Sequence, residues 1–172
     1  MPTPSGTDAF EQFVALLDYP MFVVTTRAGD QRAGCLVGFA TQVSIHPSRF
    51  LVGLSKRNHT YRTARLAARS EGVEHLAVHL LGREHRELAR LFGGETGDRV
   101  DKFRRCSWSE GPEGLPILHD AAAWFAGRVV RRFDLGDHVG HLLEPLAGDA
   151  SAKLNGLITY SDVKDLAPGR EA

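Results

Sequence analysis

The chain has 172 residues, 42% hydrophobic and 24% charged, enough for one ordinary globular domain with a substantial core. Lysine plus arginine balances aspartate plus glutamate at 21 each, so the net positive field that non-specific nucleic-acid binding relies on is missing, and no nucleic-acid partner is expected. The two cysteines, Cys35 and Cys106, stand apart and form no CxxC, which argues against a disulfide framework or a zinc knuckle and for a reducing, cytoplasmic setting.

The start, MPTPSGTDAFEQF, has no signal-peptide pattern, and no run reaches the roughly 18 apolar residues of a membrane span, so no membrane partner is expected either. Asp8 and Glu11 fit a capping box, and Phe10, Phe13, Val14 and Leu17 then share one face, predicting a helix over 8–18 that Tyr19-Pro20 stops. Residues 21–26 are apolar and β-branched and read as a strand, with a turn at 28–31 leading back into a second. That second strand, 33–45, is too long and too low in charge for a sheet edge, and Gly38 predicts a bend or bulge in its middle.

His46-Pro47-Ser48 turns the chain into a short strand at 50–54, and Asn58 is a good N-cap for a helix reaching about residue 69. A strand follows at 73–81. Leu88, Leu91 and Phe92 share a helical face over 83–92, with Gly93-Gly94 as a stop past its end and a polar loop at 95–105. A short strand is expected at 106–108, a turn at 111–114, and two long strands at 121–133 and 137–146 hinged at 134–136. Residues 157–160 read as a last strand or a dimer arm, and the chain as frayed from Pro168. Six or more strands with inserted helices predict a mainly β fold, a closed or nearly closed barrel.

The stretch 33–60 carries the most chemistry. Gly34 and Gly38 stand inside a strand, where glycine often marks close approach of a backbone or ligand. Ser55-Lys56-Arg57-Asn58-His59-Thr60 brings hydroxyls, an amide and cations to a helix N-terminus, a setting suited to phosphate. An ordinary N-cap beside a solvated lysine is the compatible plain reading, with Arg57 and His59 facing solvent. His75 and His79 fall on one face of a strand, and His138 and His141 on opposite faces of another. No Cys or Glu cluster joins them, so no metal site is expected. The cysteines read as small packed hydrophobes.

Taken in order, these pieces resemble the flavin reductase family, whose domain is a split β-barrel of the Greek-key, FMN-binding type. The resemblance is carried by MFVVTT at 21–26, GCLVGFATQVSIHP at 34–47, SKRNHT at 55–60, LARLFGG at 88–94, Asp101-Lys102-Phe103, Gly114-Leu115-Pro116 and Gly136-Asp137-His138. It implies a single flavin reductase-like domain over 1–172, with a core at about 16–146 and a tail or dimer arm at 147–172. By position, it implies that Leu36, Val37, Gly38, Phe39, Thr41, Gln42 and Val43 run beside the isoalloxazine and ribityl chain of FMN or FAD. Lys56, Asn58 and Thr60 fall on the family's phosphate segment.

Gly136, Asp137 and His138 fall where the nicotinamide of NADH or NADPH would dock. There His138 is the catalytic candidate, bonding the nicotinamide or stabilising reduced flavin, and Asp137 orients its ring. The plain alternative is a hinge between strands. The chain departs from the family's Thr-x-Ser at Leu36-Val37-Gly38, which removes two hydroxyls and leaves cofactor contact to backbone amides. Phe39 reads equally as a flavin contact or core, and Trp108, Trp124 and Phe125 as packing or dimer interface. The implied function is an NAD(P)H-dependent flavin reductase, a homodimer that supplies reduced flavin to a partner monooxygenase. Hydride transfer between two cofactors demands no strong acid or nucleophile, consistent with a chain lacking a triad or paired carboxylates. The alternative is a non-catalytic split-barrel module holding a flavin, deazaflavin or haem.

Overall fold

A computed structural model describes residues 2–3, 5–95 and 97–166. Among these run nine strands: β1 (Phe22–Ala28), β2 (Gln31–Val37), β3 (Ala40–Ser44), β4 (Arg49–Ser55), β5 (His75–Leu80), β6 (Trp108–Glu110), β7 (Pro116–Leu118), β8 (Ala123–Asp134) and β9 (His138–Asp149). Four α-helices accompany them: α1 (Gly6–Ala15), α2 (His59–Glu71), α3 (Arg86–Gly94) and α4 (Tyr160–Val163). Seven strands form one antiparallel sheet in the order β2-β1-β5-β8-β9-β4-β3, and β6 and β7 pair separately. The class is the expected one, mainly β with inserted helices, a split barrel.

The sheet's two edges, β2 and β3, are one stretch of chain bent at Gly38-Phe39. Before the bend it pairs with β1; after it, with β4. The bend expected at Gly38 is there, but the expectation that 33–45 avoids the sheet edge is overturned, because both halves are edges. Low charge is tolerated since the open edge of β2 is capped from within: the Lys102 ammonium donates to the Gly34 carbonyl at 3.0 Å and to that of Phe92 at 3.1 Å. Glycine is required at the bend because a Cβ on Gly38 would lie 2.6 Å from the Tyr19 ring.

Other boundaries shift for identifiable reasons. Ser5, not Asp8, caps α1, its hydroxyl accepting from the Asp8 amide while the Asp8 carboxylate accepts from the Ser5 amide; the helix therefore starts and ends earlier than 8–18. None of its residues is buried. A 3-10 turn at Arg83–His85 precedes α3, which continues through Gly93 and Gly94 instead of stopping before them. A Cβ on Gly93 would come within 2.8 Å of Leu36, so this glycine allows α3 to press against β2. The strand expected at 106–108 begins at Trp108.

Residues 157–160 do not form the continuous strand that is one of the two expectations. Leu157 bridges to Gly82 and Thr159 to Pro20, Ile158 is fully buried, and α4 follows, so this segment clamps onto its own chain. Pro168 and beyond lie outside the described residues. Trp108, Trp124 and Phe125 all pack against core clusters of the same chain.

Two buried polar groups discipline the core. Glu74, in the loop before β5, meets Arg132 at 2.7 Å and His141 at 3.2 Å, so a carboxylate taken from water keeps cationic and imidazole partners. His79, on β5, reaches the Val23 carbonyl through Nδ1 at 3.0 Å and accepts the Leu118 amide at Nε2 at 3.1 Å. Both nitrogens are satisfied in the neutral ring, and burial pushes its pKa down to about 4. An unfolded chain takes up that proton at an ordinary pKa near 6.5. Stability should therefore be complete above about pH 6.5 and decline as pH falls toward 4, with His79 contributing up to about 3 kcal/mol of the loss. Urea unfolding of wild type and His79→Gln across this window tests it: the variant should show a shallower decline, and parallel profiles would refute the assignment.

Candidate functional site

The bend that separates β2 from β3 opens a cleft between strands and helices. One wall is the end of β2, from Gly34 to Phe39; the floor is the end of β4, Gly53 to Ser55; the far wall is the start of α2 with Asn58 and His59. The end of α3, Gly97, Lys102, Met21, the stacked rings of Tyr19 and Tyr160, and His138, which pairs with Ser55 of the floor, complete the lining. Glycine at position 53 keeps the floor low, since its amide donates to the Phe39 carbonyl at 2.7 Å and a Cβ there would sit 3.2 Å from that of Phe39.

One end of the cleft is polar. Asn58 caps α2 by accepting the Thr60 amide at 2.8 Å, leaving other first-turn amides and the positive end of the helix toward the opening. His59 pairs with Asp98 at 3.2 Å, and Arg62 holds the same carboxylate at 2.7 Å. Burial pushes the His59 pKa down, opposed by Asp98. Lys102 is 4% exposed and lines this end. The Cys35 thiol is also buried here, and burial pushes its pKa up; the side chains of Thr60 and Asn58 and the Lys102 charge act in the opposite direction.

The other end is apolar. Phe39, 61% exposed, joins Leu51, Leu135, Ala40 and Thr41 in a shelf that continues from the cleft past Gly38 and Gly53. His138, at the start of β9, borders both regions, its ring 5.0 Å from that of Phe39 at an interplanar angle of 60°. Nδ1 of His138 lies 2.7 Å from the Asp137 carboxylate, and that bond holds the Asp137 pKa below the usual carboxylate range. With Nδ1–H donating to Asp137, Nε2 is the ring nitrogen available to a ligand.

Of the residues singled out in the sequence, Leu36, Val37, Gly38, Phe39, Asn58 and His138 line the cleft together. Thr41 and Asp137 border the shelf. Gln42 bonds the Ser44 carbonyl and Val43 is exposed on β3, both outside the cleft lining. Lys56 extends to Asp134 at 3.0 Å, while Thr60 is buried in the first turn of α2. Gly136, with φ of 120°, shapes the turn between β8 and β9, its amide donating to Asp134. His59 lines the cleft and pairs with Asp98, which overturns its expected solvent-facing position. Lys102, His59, Tyr19 and Tyr160 are cleft residues that sequence reasoning missed; Asp101-Lys102-Phe103 stands out in the sequence only as a family marker.

Comparison with known proteins agrees with this architecture. Residues 14–163 match the model of the flavin reductase like domain. The chain is 33% identical over 138 residues to the FMN reductase (NADH) RutF of Variovorax paradoxus (strain S110), covering 80% of this chain and 73% of that protein. It is 32% identical over 143 residues to the stachydrine N-demethylase reductase subunit Stc3 of Rhizobium meliloti (strain 1021), covering 81% of this chain but just over half, 57%, of that protein. The crystal structure of a flavin reductase domain protein from Arthrobacter sp. FB24 shares the fold, with a TM-score of 0.75 at 20% identity over 91% of each chain. A family match across barrel, cleft and C-terminal clamp, together with relatives at this level of identity, establishes that the chain belongs to the flavin reductase family.

Proposed function

We propose that this chain is an NAD(P)H-dependent flavin reductase acting as one domain, with FMN the favoured flavin and FAD the alternative. The observation that carries this reading is the two-ended cleft: a helix N-terminus and buried cation at one end, an apolar shelf beside His138 at the other. An amphiphilic flavin fits such a site. The glycine-lowered floor at Gly53 admits a flat ring, Phe39 offers an apolar face, and the start of α2 offers amides to a phosphate. When bound, flavin and nicotinamide supply the redox chemistry, a hydride passing from one ring to the other.

The protein's own contribution is positional. Backbone amides along Leu36–Phe39 take the place of the hydroxyls absent at Leu36 and Gly38, a weaker hold that suits a flavin exchanging with solvent. His138, fixed by Asp137, presents Nε2 to the ring or to the nicotinamide amide, and Phe39 and Leu135 offer apolar surface on the shelf for a flat ring to cover. Gly136, at φ of 120°, makes the turn that leads into Asp137 and His138, where the nicotinamide would dock. A released, reduced flavin would serve a partner monooxygenase; the Rhizobium relative, named as a reductase subunit, supports that role. FMN and NADH are favoured because the Variovorax relative is named for both.

Association of two copies completes the reading. Phe10, Phe13, Leu16 and Leu17 on or just after α1 are exposed, and a ten-residue helix with no buried side chain is marginal in water alone. A cytoplasmic working place follows from the redox role and the two free cysteines.

Anaerobic mixing of the protein with NADH or NADPH and FMN or FAD, followed at the nicotinamide absorbance band, tests the activity. NADH with FMN should be consumed; no oxidation in any combination would refute it. His138→Ala should lower kcat by about tenfold or more while moving the flavin Kd less than about threefold; equal loss in both would make His138 a binding residue only. Light scattering should give the mass of two chains for wild type and of one for Phe13→Asp/Leu16→Asp; a monomeric wild type would refute the dimer.

A further inference from the structure

We propose that Lys102 is the charge that reads the cofactor's phosphate, and so the residue that makes this cleft prefer FMN over riboflavin. The proposal rests on the flavin reading above and assigns a role to a residue outside the expected phosphate segment.

Lys102 is 4% exposed, yet among the described residues no carboxylate forms an ion pair with it. Glu95 acts on it only at a distance and is drawn to Arg105 at 3.9 Å. Two of its three N–H groups donate to the Gly34 and Phe92 carbonyls and the ammonium lies 5.4 Å from the centroid of the Phe92 ring, neutral partners that supply no counter-charge. A buried cation with no counter-ion is costly unless a ligand supplies one. Capping those carbonyls alone would need only a neutral donor, whereas Lys102 also lines the cleft.

Its position selects which part of the ligand it meets. The Lys102 charge acts on the Cys35 thiol, which also feels the side chains of Asn58 and Thr60, and on His59. Its bond to the Gly34 carbonyl, beside Cys35, and its place in the cleft lining with Gly97, where a Cβ would lie 2.6 Å from the His59 ring, set the ammonium toward the start of α2; it does not line the shelf of Phe39, Leu135 and His138. An anionic tail between the first turn of α2 and Lys102 receives helix amides from one side and a charge-assisted hydrogen bond from the other. The exposed cation of the segment, Lys56, is occupied by Asp134. Lys102 thereby also sets the polarity with which the flavin enters, phosphate toward α2 and ring toward His138.

Fluorescence titrations of FMN and riboflavin into wild type, Lys102→Gln and Lys102→Met decide the matter. Glutamine keeps an amide donor for the carbonyls and removes the charge. Wild type should bind FMN more tightly than riboflavin, and both variants should lose about tenfold or more of that ratio with riboflavin affinity nearly unchanged. A parallel fall in both affinities would show a merely structural lysine, and an unchanged ratio would show no role; either overturns the proposal. A wild type that binds neither flavin would overturn the flavin reading itself. If both variants misfold, wild type still answers, because Lys102 is the buried one of the chain's four lysines and its side-chain nitrogen can be followed apart from the other three. That nitrogen-15 resonance should shift with FMN and stay still with riboflavin; equal shifts or none would overturn the proposal.

Discussion

The change of partner at Gly38-Phe39 is the constraint on which the rest of the molecule depends. A sheet of strongly twisted strands leaves two edges, and here a single stretch, residues 31–44, supplies both by leaving β1 and joining β4. Where it crosses from one to the other, neither ladder is continuous, and the groups freed there face a gap. The cleft is that gap. Its walls are whatever the barrel places nearby: the cap of α2, the end of α3 and the first residue of β9.

The asymmetry of the cleft follows from the same geometry. On the β2 side an unpaired edge carbonyl needs a donor, and the chain answers with Lys102, which brings a charge as well as hydrogen atoms. On the β3 side the neighbours are the apolar side chains of Phe39, Leu51 and Leu135, and the one carboxylate there, Asp137, is paired with His138. A structural requirement of the barrel thus fixes which end of the site holds the buried cation, and the protein needs no acid or nucleophile to orient an amphiphilic ligand.

What the sequence revealed and what it hid divide along lines of range. The bend was legible because glycine in an apolar strand has few explanations, and the Asn58 cap because capping is a local hydrogen bond. The edge positions were not, since low charge normally signals an inner strand and the capping lysine lies 68 residues beyond the carbonyl it serves. Lys102 sits in a polar stretch, DRVDKFRR, where it reads as one more solvated cation until the fold buries it. Lys56, two residues before the cap, reads as the better phosphate ligand, but just past the end of β4 its ammonium is held by Asp134 at the end of β8. His59 was assigned to solvent because nothing local announces Asp98, which reaches it from the loop after α3.

The C-terminal clamp changes where this domain must be considered to end. Tyr160 stacks on Tyr19 with ring centroids 5.2 Å apart, and both rings form part of the cleft wall, so residues at opposite ends of the barrel jointly build one face of the site. A boundary drawn after the last long strand would keep every ladder hydrogen bond of the barrel and still remove that wall. Selection should then treat positions 19 and 160 as a covarying pair, coupled more tightly to each other than to the strands between them.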